Sequence, residues 1–158
     1  MMRALLAGIS AAFVLTACST TSGASDTSQS PSALADVPRI GLSPQSLDPG
    51  ECGLFIWSKT DVNRFAFFSK ALSGTALFKP ADTEMRLTQS RSEGTIFGQF
   101  TTDMGYITDD GQDIDLIFRP GETLTGGQRI DGGLITITDQ AGWQTKLPVL
   151  GVRACQPE

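Results

Sequence analysis

The sequence predicts an all-β fold: a single small antiparallel barrel or sandwich of seven or eight strands, closed by a disulfide. Two observations carry this class. From Cys52 onward, short apolar runs recur about every ten residues with turn residues between them, and Cys52 and Cys155 bracket that stretch almost end to end. A third is the shortage of helical periodicity, since only Asp61 to Leu72 offers an apolar stripe at helical spacing.

Taken in order, Leu54-Phe55-Ile56-Trp57 opens the domain, and Arg64 to Ser69 follows with Phe65, Phe67 and Phe68. Asp61 could cap a helix here, with Val62, Phe65, Ala66 and Leu72 on one face. The density of aromatic residues and the nearby Gly74 favour a strand instead. Thr75 to Lys79 stops at Pro80, and Met85 to Ser90 comes next. Ser90-Arg91-Ser92-Glu93-Gly94 reads as a polar loop, leading into Thr95 to Thr101, where Ile96, Gly98 and Phe100 alternate with Phe97 and Gln99. Asp113 to Arg119 is the clearest strand, with Ile114, Leu116 and Phe118 on one face and Asp113, Asp115 and Arg119 on the other. Leu134 to Thr138 alternates in the same way, and Trp143 to Ala154 runs to the last cysteine. Asp110-Gly111, Gly126-Gly127, Asp131-Gly132-Gly133 and Ala141-Gly142 all suit tight hairpins. About 110 residues bury roughly 65% of their unfolded surface, enough for one core, so residues 48–158 are expected to form one domain.

Upstream, Met1-Met2-Arg3 gives a positive start and Ala4 to Val14 an uncharged apolar run, too short for the roughly 20 residues of a spanning helix. Leu15-Thr16-Ala17-Cys18 follows, and in this the chain resembles bacterial lipoproteins, in which such a sequence is a lipobox. The resemblance implies a signal peptide over residues 1–17 and cleavage before Cys18. It also implies a diacylglyceryl thioether on the Cys18 sulfur and commonly an acyl chain on the new amino group, such as palmitate. Each buried methylene contributes ~0.8 kcal/mol, so two or three chains would hold the protein to a lipid bilayer permanently. Ser19, in place of the aspartate that retains lipoproteins at the inner membrane of enteric bacteria, favours the outer membrane with the domain facing the periplasm. Residues 18–47, rich in Ser, Thr, Ala, Asp and Pro, read as a flexible linker with a span of roughly 30 Å and an extended reach of ~100 Å. Within it Val37 to Leu42 is more apolar and is the part with the means to pack on the domain.

With Cys18 assigned to lipid, Cys52 and Cys155 remain as an even pair in an oxidising compartment, and a disulfide between them is expected. Its loop would contribute ~4 to 5 kcal/mol on the entropic model. Two free thiols or a zinc pair are the alternatives, and the zinc pair lacks further ligands because the chain has no histidine. Loss of Arg3 with the leader takes one from the 12 basic residues against 17 acidic ones, for a net formal charge of −6, which argues against nucleic acid as a partner.

The chemistry is bounded by the missing histidine, which excludes Ser–His–Asp and Cys–His catalysis and imidazole bases. No phosphate-binding loop precedes a helix, and no cofactor is implied. Asp109-Asp110-Gly111-Gln112-Asp113-Ile114-Asp115 gathers hard oxygens, but its spacing is not that of an EF-hand and it reads as a solvated hairpin tip, so no metal site is expected. Glu51, Glu84, Glu93 and Glu122 offer only the carboxylate pairs that any acidic chain offers. Trp57 and Trp143, near the two cysteines in sequence, suit either the closing of a core around the disulfide or an exposed stacking platform.

Cys52, Ala76-Leu77, Leu87 ahead of Ser90-x-Ser92, Phe97 and Cys155 together resemble the membrane-bound inhibitors of c-type lysozyme, lipoproteins folded as small antiparallel barrels. That resemblance implies a loop serine, Ser90 or Ser92, presented to the lysozyme cleft. Cys52-Gly53-Leu54-Phe55-Ile56-Trp57, Gly142-Trp143 and Pro148-Val149-x-Gly151-x-x-Ala154-Cys155 look most like a group of small alphaproteobacterial lipoproteins, which implies no activity. The expected function is a membrane-anchored, non-enzymatic envelope module that binds an envelope protein or cell-wall partner, or maintains the envelope. Ser90, Ser92, Trp57 and Trp143 are its candidate contacts, and inhibition of c-type lysozyme is the alternative.

Overall fold

Ile114, Leu116 and Phe118 are buried while Asp113, Ile117 and Arg119 are exposed, the period-two pattern of a strand with one face in a core. The computed structural model describes residues 41–61 and 64–158, and within them the chain forms eight strands. These are β1 (Cys52–Ser58), β2 (Phe65–Lys70), β3 (Thr75–Phe78), β4 (Met85–Phe97), β5 (Phe100–Thr108), β6 (Asp113–Leu124), β7 (Gly127–Thr138) and β8 (Gln144–Cys155). Each pairs antiparallel with the next, and β8 pairs with β1, so the sheet is a closed up-and-down barrel. The leader, Cys18 and the linker as far as residue 40 lie outside the described residues.

Closure is sealed covalently. Cys52 faces Cys155 in the β1–β8 register with Cα atoms 4.0 Å apart, and the two are joined by a disulfide. Just outside it, the Gln156 amide donates to the Glu51 carbonyl at 2.8 Å. The β2–β3, β4–β5 and β6–β7 turns lie at this disulfide end, and the other hairpin turns lie at the far end. The barrel is filled rather than hollow: Leu54, Ile56, Phe67, Phe78, Leu87 and Ile135 are completely inaccessible, and Tyr106 is 1% exposed among them. An eight-stranded barrel is just wide enough for side chains to do this.

Several local expectations are corrected. Met85–Phe97 is one strand, so residues 90–94 are not a loop. The register passes from Gln89↔Tyr106 to Arg91↔Gly105 and again shifts between Glu93 and Ile96, so two bulges interrupt the alternation by which a strand is recognised. The turn lies instead at Gly98-Gln99, inside the stretch read as the strand Thr95 to Thr101. Phe97 pairs with Phe100 across it, and Gly98 adopts φ 66, the left-handed conformation glycine permits. Residues 102–108, not expected as strand, complete β5. Asp131-Gly132-Gly133 is a bulge within β7, not a hairpin. Gly133 is needed because a Cβ there would stand 2.7 Å from the Ile117 carbonyl of the neighbouring strand. Asp61 to Leu72 contains a strand, as the aromatic density suggests.

A second apolar layer lies outside the wall. Phe55, Trp57, Phe65 and Phe68 of β1 and β2 pack together with centroid separations of 4.9 to 6.4 Å, with Phe65 stacked on Phe55 and Trp57, and Phe68 set against Phe55 and Phe65 at steeper angles. A strap, residues 41–47, crosses them: Gly41 bridges Phe65, the Leu42 amide donates to the Phe65 carbonyl at 2.7 Å, and Leu42 is buried. Packing therefore begins upstream of residue 48. The strap runs parallel to β2 and reaches the disulfide end, where Lys70 pairs with Glu51 at 2.6 Å and with Asp48 at 3.5 Å. The Lys70 hydrogen bond and then the Asp48 amide hold the Glu51 carboxyl below its ordinary range, and Glu51 holds Lys70 above its own.

Candidate functional site

The four candidate contact residues do not form one site. Ser90 and Ser92 are exposed on β4, Ser90 as the extra residue of a bulge and Ser92 with its hydroxyl 2.9 Å from that of Thr101. Trp57 is half-buried on β1, three strands away around the wall, with its ring stacked 5.1 Å from Phe65. Trp143 is 78% exposed in the turn before β8, at the end of the barrel remote from the disulfide. Neither tryptophan closes the core around the cysteines. Proximity along the chain misleads here because β8 carries Trp143 a full strand length from Cys155.

The acidic hairpin tip is a structured turn. Thr108 Oγ1 donates to the Asp110 carboxylate and accepts from the Gln112 amide, while Gln140 Nε2 donates to the Asp110 carbonyl at 2.6 Å from the adjacent turn. Asp115 is drawn elsewhere. On the outer wall Arg91 spans three strands, reaching Asp103 on β5 at 2.7 Å and Asp115 on β6 at 2.6 Å, with Glu93 at 3.2 Å. The hydrogen bonds to Asp115 and then Asp103 raise the Arg91 pKa further, and a charge so held is a cross-strand clamp rather than a free ligand. Charges in these positions are what a lipid-facing barrel wall excludes. Among the described residues, no three His, Cys, Asp or Glu side chains are grouped to hold a metal ion.

At the disulfide end the Arg153 guanidinium lies 5.5 Å from the Phe97 ring centroid, a cation–π contact, with Nη1 3.5 Å from Cys155 Sγ. The Tyr106 hydroxyl is buried 3.5 Å from Met104 Sδ; burial pushes its pKa up to about 12 against a weaker opposing hydrogen bond with Ser69.

The sequence did not reveal one feature of the outer wall, a groove of about 280 Å³ across β6, β7 and β8. Ile117, Leu134 and Pro148, which are register neighbours, give it apolar sides, and Lys59 and Arg119 stand at its margin. Gly132 lies in it opposite Arg119, where an added Cβ would meet Arg119 Nη2 at 3.6 Å. Its only local signal was the Gly132-Gly133 pair, which composition alone assigns to a turn. Comparison with protein-family models, with curated proteins and with solved structures gave no match to this chain.

Proposed function

We propose that the chain is a lipid-anchored envelope protein whose barrel binds a partner at its outer surface and carries out no catalysis. The observation that carries this reading is the filled interior. Where a ligand-binding barrel of this strand number keeps a cavity, this one places Phe67, Phe78, Leu87, Tyr106 and Ile135, so recognition falls to the wall and the turns. The anchor is Cys18 of Leu15-Thr16-Ala17-Cys18, and the outer membrane facing the periplasm is its address. No second reading is favoured, since lysozyme inhibition rested on a loop at residues 90–94 that is strand.

Metabolic labelling with palmitate and fractionation of the producing cells test the reading. The native chain is expected to incorporate label and to sediment with membranes, and Cys18→Ser to lose the label and precursor cleavage. An unlabelled native chain in the soluble fraction would overturn it.

A further inference from the structure

Two of the chain's cations stand beside an apolar groove with no counter-charge. Among the described residues neither Lys59 nor Arg119 has a carboxylate oxygen within ion-pairing distance, which is also true of Lys79, Arg86, Arg129, Lys146 and Arg153, but these two are the ones that flank this apolar groove. The chain as a whole carries a net charge of −5. The groove between them is lined by Ile117, 52% exposed, with Leu134 and Pro148. Apolar surface continues beyond it, because Leu150 is 42% exposed on β8 and faces half-buried Trp57 on β1.

The space is built by the backbone. The bulge in β7 puts Gly132 where a side chain would otherwise occupy the groove, and nothing about that residue's own conformation demands glycine. Its φ is not left-handed, and a Cβ would make only ordinary contacts, 3.6 Å to Arg119 and 3.8 Å to the Val149 carbonyl. Gly133, beside it, is required by the wall.

We propose that this groove is the docking site for an acidic peptide carrying bulky aliphatic side chains, one of which enters the groove while carboxylates meet Lys59 and Arg119. The groove is open to solvent and falls just below the ~300 to 1,000 Å³ of small-molecule pockets, which suits a surface-bound peptide better than an enclosed small molecule. The band from Ile117 to Trp57 favours an extended occupant with apolar groups repeated along it. The site deepens the partner-binding reading above and rests on it for biological meaning, but it is testable without the anchor.

The probe is a fluorescein-labelled hexapeptide of alternating aspartate and leucine, measured by anisotropy against the purified full chain carrying Cys18→Ser. Alternating lysine and leucine, and alternating aspartate and serine, serve as controls. Only the first peptide is expected to bind, more weakly as salt is raised. Lys59→Glu with Arg119→Glu should weaken it by about tenfold or more, and Gly132→Val, which fills the groove, should do the same. Arg86→Glu, a charge reversal elsewhere, should leave it unchanged. Both charge changes are at exposed positions, so they report even where Gly132→Val perturbs folding. Equal binding of all three peptides, insensitivity to the double reversal, or binding of phosphatidylglycerol vesicles in place of the peptide would overturn the proposal. Loss of peptide binding in a chain that is labelled and membrane-bound would remove the groove alone. A soluble, unlabelled chain that binds the peptide would remove the anchor alone.

Discussion

Replacing both cysteines of the β1–β8 bridge with serine tests how the barrel is closed. The bridge spans a sequence separation of 103 residues. Freeing a loop of that length returns about 16 cal/mol/K to the unfolded chain, or roughly 4.7 kcal/mol at 25 °C. The native state loses little in compensation, because β1 and β8 remain paired from Gly53↔Ala154 to Ser58↔Val149. The expected cost is therefore about 4 to 5 kcal/mol, a large share of the 5 to 15 kcal/mol typical of a domain. Urea unfolding followed by tryptophan fluorescence is the assay. The midpoint of the Cys52→Ser/Cys155→Ser chain should fall by about 2 to 4 M, and the slope should rise because the unlinked chain exposes more surface. A midpoint within about 0.3 M of the native protein's would refute the reasoning, as would non-reduced peptide mass spectrometry showing both thiols free.

Two further outcomes follow from the core and the strap. Tyr106 is the chain's one tyrosine, so its ionisation can be followed by absorbance at 295 nm, and it should titrate near 12 in the folded protein and near 10 in urea. Between those values the folded state keeps a proton that the unfolded state has released, so stability should fall by about 2 kcal/mol as pH rises from 10 to 12 and stay insensitive to this group below pH 9. A folded-state midpoint near 10 would contradict the burial. Gly41→Ala places a Cβ 2.3 Å from the Phe65 carbonyl at a residue with φ 109, so it should detach the strap and cost about 1 to 3 kcal/mol of local burial. Limited proteolysis should then cut within residues 41–50 and leave the barrel intact, whereas unchanged protection would show that the strap is held by other contacts.

How much of this was legible depends on what each residue does locally. Asp113 to Arg119 was readable because one face is dry and the other wet along its whole length, and Asp110-Gly111 because a hairpin there needs glycine in the left-handed region. The cysteine pair was readable by arithmetic. The lower half of β4 was not, since both its faces are wet beyond the neighbouring β3 and two bulges break its period. Glycine carried three meanings that one letter cannot separate: a turn at Gly98, a close approach at Gly133 and a vacant space at Gly132. The aromatic residues of β1 and β2 were assigned to a strand correctly, but what covers the outward-facing ones is a strap whose own composition is that of a linker. The groove brings together β1–β2 connection, β6, β7 and β8, and no local window contains it.

The strap and the disulfide together determine how the protein responds to force. A pull on the chain upstream of Gly41 first peels residues 41–51 from the outer wall, giving about 35 Å of slack, and is then halted at Cys52. Beyond that point β1 cannot be stripped from the barrel as a free end, because the covalent ring passes the load to β8 at the same residue pair. A load on that end is therefore expected to extend the strap before it reaches the covalently closed ring.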